Sequence, residues 1–324
     1  MKKLKSITQI LDIAKSVIRL ESETIAELGD KLNDDFVKAV ELILSSKGRV
    51  IVAGVGKSAN IASKIVATFN STGQPAVFLH AGDAIHGDLG NIQKNDIVIC
   101  ISKSGNTSEI KYLLPLIKNM RNKIIAITGN NDSYLANEAD CVLDASVKKE
   151  ACPHNLATTS STTAQLVLGD ALAICLLDCK NFTDKDFARF HPGGVLGKKL
   201  YLKVNDIAKH NEVPSVQSHE NIQKVIIEIS RKRLGATAVL DGEKLVGIIT
   251  DGDLRRMLEK GKKIEEVLAK DIMNKNPKMI ASSLLAIEAL KMMEQYNISQ
   301  LLVVEKENYI GIIHMHDILK EGIA

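Results

Sequence analysis

Short apolar runs alternate with helix-length segments along the N-terminal part of the chain. Each run is apolar at consecutive positions and not at every second one. The five runs are 50–53, 76–79, 97–101, 124–127 and 141–143. Continuous apolar strands are typical of a parallel sheet that helices cover on both faces. The pattern therefore predicts an α/β fold built around a parallel sheet.

A longer apolar segment, 159–177, follows a cluster of Thr and Ser residues that can cap a helix. We predict a buried helix there. We expect no transmembrane helix, because no stretch of about 18 uninterrupted apolar residues occurs. At the N-terminus, Asp12 and Lys15 interrupt the stretch that a signal peptide would need to be apolar, so an amphipathic helix is expected.

The pattern changes after Gly197, where the sequence begins to repeat with a period of about 64 residues. The matching segments are 206–208 with 271–273, 225–229 with 289–293, 236–240 with 298–304, and 246–250 with 310–314. A unit this small cannot bury its own hydrophobic face. The repeat therefore predicts two copies that pair about a pseudo-two-fold axis.

The amino-acid composition and charge of the chain exclude some classes of function. The chain has 324 residues, of which 45 % are hydrophobic and 25 % charged, which is typical of a globular protein of about two domains. It has no Trp, six Phe and five Tyr, which disfavours binding of nucleic-acid bases by stacking. Before Leu202 there are 24 basic and 21 acidic residues, and after it 18 of each. Neither part is polybasic, so nucleic acid and membranes are not expected partners.

Five cysteines occur, and none of them forms a C-x-x-C pair. A chain of this length does not need disulfides for stability. We therefore expect the reducing cytoplasm as its compartment.

The first apolar run leads into a glycine turn and a predicted helix. A Walker A loop would need glycine at position 51, which is Ile51, and no acidic residue follows at the distance that a dinucleotide-binding fold requires. Backbone N–H groups at a helix N-terminus still favour an anion. The candidates for phosphate binding here are Gly54, Gly56 and Ser58, with Lys57 as a nearby cation.

A second loop follows the strand 97–101. Its hydroxyls, Ser102, Ser104 and Thr107, surround Gly105 and precede a predicted helix. Helix capping needs only one hydroxyl, so this loop favours a pocket for a phosphomonoester. The cluster that opens the long helix supplies three more candidates, for which helix capping is the equal alternative: Thr159, Ser160 and Ser161.

The turn 56–58 and the Ser-x-Ser-Gly-x-Thr-x-Glu motif at 102–109 resemble the sugar isomerase (SIS) domain, a flavodoxin-like unit that binds phosphosugars. Further segments resemble the arabinose-5-phosphate isomerase subgroup, which also carries paired cystathionine β-synthase (CBS) motifs. Those segments are 86–88, 149–153, 159–163 and 191–194. The resemblance implies an SIS domain at 1–201 and CBS motifs at 204–262 and 268–324.

The resemblance also implies interconversion of D-ribulose 5-phosphate and D-arabinose 5-phosphate through a cis-enediolate, at the entry to 3-deoxy-D-manno-octulosonate (Kdo) synthesis for lipopolysaccharide or capsule. A carboxylate suits the proton shuttle between C1 and C2, and both Glu109 and Glu150 map to active-site positions. By analogy with other SIS isomerases we favour Glu150 as the base. Lys57 would stabilise the enediolate or the phosphate, and His191 would assist ring opening.

Three of these four residues have simpler alternatives. Glu109 could cap a helix, Glu150 could be a solvated loop charge, and His191 could bond to its own turn. In related isomerases such a histidine can come from a neighbouring subunit, and a homotetramer is expected. No tight pattern of metal ligands occurs, and isomerisation through an enediol can proceed without metal, so we expect no cofactor and no required metal. His86 is a candidate substrate contact, at which a bound divalent metal could inhibit.

In the first repeat, 247–253 matches the element through which CBS pairs contact the ribose of adenine nucleotides, by way of Thr250 and Asp253. In the second repeat His314 stands where Ser or Thr is expected. A nucleotide or nucleotide-sugar effector is one interpretation. A module used only for subunit packing is the other.

Two further functions stay open. The protein could be another phosphosugar isomerase, because phosphate loops and a base do not encode the stereochemistry at C2. It could instead be a non-catalytic phosphosugar sensor, although the N-terminal segment is too short and too weakly basic for a helix-turn-helix domain. The motifs do not distinguish lipopolysaccharide, capsule and sugar-alcohol pathways.

Overall fold

The computed structural model describes residues 5–261 and 263–323 and contains two compact units, Met1–Phe190 and His191–Ala324. The predicted domain limits at residues 1, 262 and 324 lie outside the described residues. The boundary near residue 201 stays a prediction. Each unit is described below by itself.

The first unit alternates helices and strands. Its helices are α1 (Ile7–Leu28), α2 (Asp34–Ser45), α3 (Lys57–Ser71), α4 (Ala81–Ala84), α5 (Ser108–Asn119), α6 (Tyr134–Glu138), α7 (Ser160–Cys179) and α8 (Asp184–Phe190). Its strands are β1 (Val50–Gly54), β2 (Ala76–His80), β3 (Ile97–Ser102), β4 (Lys123–Thr128) and β5 (Cys141–Asp144). All five predicted strands are confirmed, and each continues one residue further toward its carboxyl end.

The five strands form one parallel sheet in the order β2-β1-β3-β4-β5. This is the flavodoxin-like order. Buried clusters lie on both faces of the sheet: Ile99 and Ile125 contribute to one cluster, and Val98 and Ile124 to the other. The predicted α/β fold with a doubly covered sheet is therefore confirmed.

Helix α7 is long and apolar enough to cross a membrane by length and composition alone. In the structure it packs against α1, α2 and α3, and Leu168 and Leu172 are buried in the core. The predicted buried helix is confirmed. Gly169 of α7 lies against Ile65 of α3, and a Cβ on this glycine would be 2.3 Å from Ile65 Cδ1.

The second unit contains the repeat. Its helices are α9 (Val195–Tyr201), α10 (Val204–Ala208), α11 (Ile222–Lys232), α12 (Asp251–Glu259), α13 (Ala269–Ile272), α14 (Ala286–Tyr296) and α15 (Met315–Lys320). Its strands are β6 (Ser215–Gln217), β7 (Ala236–Asp241), β8 (Lys244–Thr250), β9 (Met279–Ala281), β10 (Gln300–Glu305) and β11 (Asn308–His314).

The two copies have the same topology. In each, a short strand pairs in parallel with a second strand, which pairs antiparallel with a third. The register shifts at the same place in both copies, after Val239 and after Val303. One cluster contains residues of both copies, including Ile248 and Leu302. The duplicated module is confirmed, and this shared cluster supplies the burial that a single copy lacks.

Replacing Gly169 with Ala will destabilise the first unit. The new methyl group would overlap Ile65, which is fully buried and cannot move aside. Overpacking of this kind costs about 1–3 kcal/mol, which exceeds the gain of about 1 kcal/mol that Gly→Ala gives in a helix. Urea unfolding followed by circular dichroism measures the difference.

Gly29→Ala is the matched control, because Gly29 has helical backbone angles and nothing lies within 4 Å of the place that its new methyl group would take. We expect no loss of stability for this control. Equal stability of the two variants would contradict the packing argument.

Candidate active site

A cleft lies at the carboxyl edge of the sheet, between the loops that follow β1 and β3. The strand order reverses direction between these two neighbours, and ligands of open α/β sheets bind at such a switch point. The cleft has a volume of about 290 Å³. Its walls are formed by Val55, Lys57, Ser58, Ile101, Ser102, Lys103, Ser104, Thr107 and Thr158.

The loop after β3, residues 102–107, is folded by its own hydroxyls. Ser102 Oγ lies 3.1 Å from Thr107 Oγ1 and accepts a hydrogen bond of 3.1 Å from the N–H of Gly105. Ser104 Oγ accepts from the N–H of Asn106 at 3.2 Å. Gly105 has a φ of +62°, and a Cβ there would lie 2.0 Å from Ser133 Oγ. Only glycine fits this position without displacing the neighbouring loop.

The loop after β1 presents a helix N-terminus to the same cleft. Gly56 is the N-cap of α3, and Lys57 is the first residue of the helix, with an exposed side chain. Ser58 donates a hydrogen bond of 3.2 Å to Gln165 Oε1 of α7. Gly54 is the last residue of β1. Two helix N-termini and two cationic side chains therefore border the cleft, an arrangement that favours an anion.

Glu150 lies at the N-terminus of α7 and is 3 % exposed. Its Oε2 accepts hydrogen bonds from the N–H groups of Thr159 and Ser161, at 2.8 and 3.2 Å, and from Thr159 Oγ1 at 3.2 Å. Helix capping, the alternative given for the Thr/Ser cluster, does not account for Thr159, which is the N-cap residue but makes no side-chain capping bond. The Glu150 carboxylate supplies the cap.

Lys103 reaches Glu150 from the loop after β3. Its Nζ lies 2.6 Å from Oε1. Burial by itself raises the pKa of Glu150, but hydrogen bonds from Lys103, Ser161 and Thr159 outweigh it and lower the pKa to about 2. The carboxylate is therefore charged at neutral pH. Sequence reasoning missed Lys103, which is marked only by being a cation between two of the predicted phosphate-binding hydroxyls.

Three hydroxyls near this carboxylate lack hydrogen-bond partners within the described residues. They belong to Thr158, Ser160 and Ser161, and their oxygen atoms are buried. Thr158, which the sequence analysis did not select, lines the cleft. Buried polar groups are normally satisfied, so these hydroxyls suit a polar ligand such as a sugar.

Glu109 lies in the first turn of α5 and is partly exposed. Its Oε2 accepts a hydrogen bond of 2.9 Å from Ser108 Oγ. Its backbone N–H and the Ser108 hydroxyl lower the pKa of its carboxyl group, and His80 contributes in the same direction. Glu109 is therefore a second carboxylate in its charged form.

Of the two predicted site histidines, His86 is not among the residues that line the cleft, and His191 belongs to the second unit. His86 is exposed in the segment after α4, and its N–H donates to the carbonyl of Asp83 at 2.9 Å. His191 begins the second unit, and its carbonyl accepts a hydrogen bond of 3.1 Å from Gly194. Within residues 5–261 and 263–323 no three His, Cys, Asp or Glu side chains are grouped to hold a metal ion. The roles of both histidines stay predictions.

The predicted ribose-binding pair of the second unit is engaged in a helix cap. Asp253 Oδ2 accepts from the Thr250 hydroxyl at 2.7 Å, and Asp253 Oδ1 accepts from Arg256 at 2.7 Å. A cavity of about 540 Å³ lies between the two copies of the repeat, with Arg233 and Asp251 of the first and His314 of the second among its walls. Thr250 and Asp253 are not among the residues that line it.

Comparison with known proteins agrees with this architecture. Residues 43–175 match the SIS domain family, and residues 204–260 and 269–323 match the CBS domain family. The arabinose 5-phosphate isomerase KdsD of Francisella tularensis is 51 % identical over 320 residues, which cover 97 % of this chain and 98 % of that protein. The protein of the same name from Escherichia coli K12 is 44 % identical over 312 residues, which cover 96 % and 95 %.

A solved structure, that of E. coli CFT073 c3406 in complex with arabinose 5-phosphate, is similar to the first unit. It is 40 % identical, has a TM-score of 0.57, and covers 58 % of this chain and 100 % of its own. The two curated relatives match across nearly their full length, through both kinds of domain. The chain therefore belongs to the family of arabinose 5-phosphate isomerases that join an SIS domain to a tandem pair of CBS domains.

Proposed function

We propose that the protein interconverts D-ribulose 5-phosphate and D-arabinose 5-phosphate and supplies the latter to Kdo synthesis, for lipopolysaccharide or capsule. The observation that carries the proposal is a buried, charged carboxylate, Glu150, next to a hydroxyl-lined cleft at the switch point of the sheet. The names of the curated relatives support the same reaction.

The phosphate of the substrate binds in the loop after β3. Ser102, Ser104 and Thr107 offer hydroxyls there, and the N-terminus of α5 adds the positive end of its dipole. Lys57 and Lys103 supply positive charge from the two sides of the cleft. The unpartnered hydroxyls at the start of α7, of Thr158 and Ser160, then bind hydroxyl groups of the sugar.

The open-chain aldose loses its C2 proton to the Glu150 carboxylate. The electron pair of the broken C–H bond forms the C1=C2 bond, and negative charge develops on O1 to give the cis-enediolate. Lys57 stabilises this charge. The hydroxyl proton moves from O2 to O1 with the help of Glu109, and Glu150 returns its proton to C1 to give the ketose. His191 acts earlier, in opening the ring.

Wild-type protein is expected to convert D-ribulose 5-phosphate into D-arabinose 5-phosphate, identified by nuclear magnetic resonance of the product. Glu150→Gln should lower kcat by about 100-fold to 10,000-fold, because the amide cannot accept the proton. Glu138→Gln is the control, since Glu138 is also a carboxylate paired with a lysine, Lys118, but lies outside the cleft. Its activity should be that of wild type.

Formation of D-ribose 5-phosphate, or of another aldose, would replace the proposal with a different phosphosugar isomerase. Binding of the sugar phosphate without turnover would indicate a sensor. Full activity of Glu150→Gln would remove Glu150 from the role of base.

We further propose a cytoplasmic homotetramer in which His191 completes the site of a neighbouring subunit. Helix α1 supports self-association, because Ile7, Leu11 and Ile18 on it are exposed at 80 %, 52 % and 66 %. Apolar side chains so exposed on one helix favour a protein partner. Light scattering of the purified protein measures the number of subunits.

Mixing inactive Lys57→Ala and His191→Ala proteins, after dissociation and reassembly, tests the shared site. If each site takes the two residues from different subunits, hybrids regain some intact sites, and activity rises to about a quarter of wild type. Each variant reassembled alone is the control. Mixtures that stay inactive would place both residues in one subunit.

An adenine nucleotide or a nucleotide sugar is the proposed effector of the repeat, and the cavity of about 540 Å³ is large enough for such a ligand. Binding should raise the melting temperature and change kcat or KM. A panel of both ligand classes, tested with and without Arg233→Ala in the cavity wall, measures this effect. Unchanged melting and kinetics across the panel would leave only a role in subunit packing.

A further inference from the structure

The contact between Glu150 and Lys103 raises a chemical difficulty for the proposed base. Oε2 of Glu150 already accepts three hydrogen bonds, from Thr159 and Ser161. Within the described residues, Oε1 has the Lys103 ammonium group 2.6 Å away and no other hydrogen-bond partner. A carboxylate needs an accessible lone pair to take a proton from carbon. In this arrangement the Lys103 ammonium group occupies Oε1, the one oxygen of Glu150 that is left to accept the C2 proton.

We propose that Lys103 is a positioning residue that holds Glu150 in an unreactive ion pair until the phosphate of the substrate draws the ammonium group away. This inference rests on the proposed function, in which Glu150 is the base. Substrate binding and activation of the base are then coupled through one side chain. A sugar without a phosphate group would leave the base paired.

Lys103 is placed to contact both partners. It stands between Ser102 and Ser104 in the loop that the phosphate occupies, and it lines the same cleft. Its side chain is 40 % exposed, whereas that of Glu150 is fully buried. The ammonium group is thus the mobile member of the pair, and the carboxylate is the fixed one.

Charge favours the exchange. A phosphate dianion attracts an ammonium group about twice as strongly as one carboxylate does at the same distance. Among the described residues, Lys103 is the charged group in contact with Glu150. Lys149 precedes Glu150 in the chain, and on α7 Thr163 donates a hydrogen bond of 3.1 Å to Glu21 of α1. The N-terminal dipole of α7 continues to stabilise the carboxylate after Lys103 leaves.

The dependence of kcat/KM on pH reports whether Lys103 pairs with Glu150. Burial raises the pKa of Glu150, while Lys103, Ser161 and Thr159 lower it, to about 2. The acid limb of kcat/KM follows groups of the free enzyme and the free substrate. In wild type the substrate phosphate, with a second pKa of about 6, contributes to this limb, whereas Glu150 stays charged throughout it. Loss of Lys103 removes one of the hydrogen bonds that lower the pKa of Glu150, so the pKa of Glu150 rises. The carboxylate then becomes protonated, and inactive as a base, at a higher pH.

The experiment compares Lys103→Met and Lys103→Arg over the pH range in which each protein is folded, with D-ribulose 5-phosphate as substrate. Lys103→Met should weaken kcat/KM at neutral pH by about 10-fold to 100-fold through loss of a charged hydrogen bond to the phosphate. Its acid limb should also lie at higher pH, or be steeper, than that of wild type, because Glu150 then titrates in addition to the substrate phosphate. Lys103→Arg keeps the charge and should keep the wild-type profile.

Lys94→Met is the matched control. Lys94 is exposed in the segment before β3, whereas Lys103 follows the other end of that strand, and its removal takes away the same charge. Its profile should be that of wild type. If Lys103→Met does not fold, Lys103→Gln, which keeps a hydrogen-bond donor without the charge, replaces it in the same comparison.

An acid limb that is unmoved in the uncharged variant would overturn the inference, as would equal losses in the uncharged and arginine variants. Wild-type protein without activity on D-ribulose 5-phosphate would instead overturn the proposed function. Affinity for a pentitol 5-phosphate, which cannot isomerise, gives a second reading that does not depend on turnover. Lys103→Met should bind this analogue about 10-fold to 100-fold more weakly, and unchanged affinity would also refute the proposed exchange.

Discussion

A carboxylate that is removed from water needs donors on both of its oxygens, and Glu150 obtains them from two separate parts of the chain. Helix α7 gives the N–H groups of Thr159 and Ser161, and the loop after β3 gives the ammonium group of Lys103. Desolvation of an ion costs several kcal/mol unless such partners compensate it. The buried charge therefore fixes the relative positions of β3, the β5–α7 segment and α7, and the first two of these border the cleft.

Most of the fold could be predicted from the sequence because its signals are local. Strands that are buried on both faces are continuously apolar, and the loop around Gly105 combines hydroxyls with the one residue type that its backbone permits. The pair of Lys103 and Glu150 has no local signal. Lys103 follows β3 and Glu150 follows β5, which are not neighbours in the sheet. Only the folded structure brings the two side chains together. The cap that Glu150 gives to α7 has no simple motif either, because its carboxylate accepts from N–H groups nine and eleven residues further along the chain.

The repeat shows how a functional motif and a structural one can coincide. Thr250 and Asp253 match a ribose-binding element, yet here they form the capping box of α12. At the equivalent position His314 caps α15 by accepting a hydrogen bond on Nδ1 from the N–H of His316, at 3.0 Å. The cap is retained although the residue type has changed. The N–H groups at a helix N-terminus need hydrogen-bond acceptors, and this need alone explains Thr250, Asp253 and His314 without a ligand.

The loop that carries Lys103 is held firmly by its neighbours. The carbonyl of Lys103 accepts from the N–H of Gly129 at 3.1 Å, and that of Gly105 accepts from Leu135 at 3.0 Å. Transfer of the ammonium group from carboxylate to phosphate therefore needs only rotation about side-chain bonds, with the backbone in place. Such rotations take picoseconds to nanoseconds in exposed side chains, whereas loop closures take microseconds or longer. Release of the base would then be fast on the timescale of turnover, and the enzyme would need no moving lid to couple binding to chemistry.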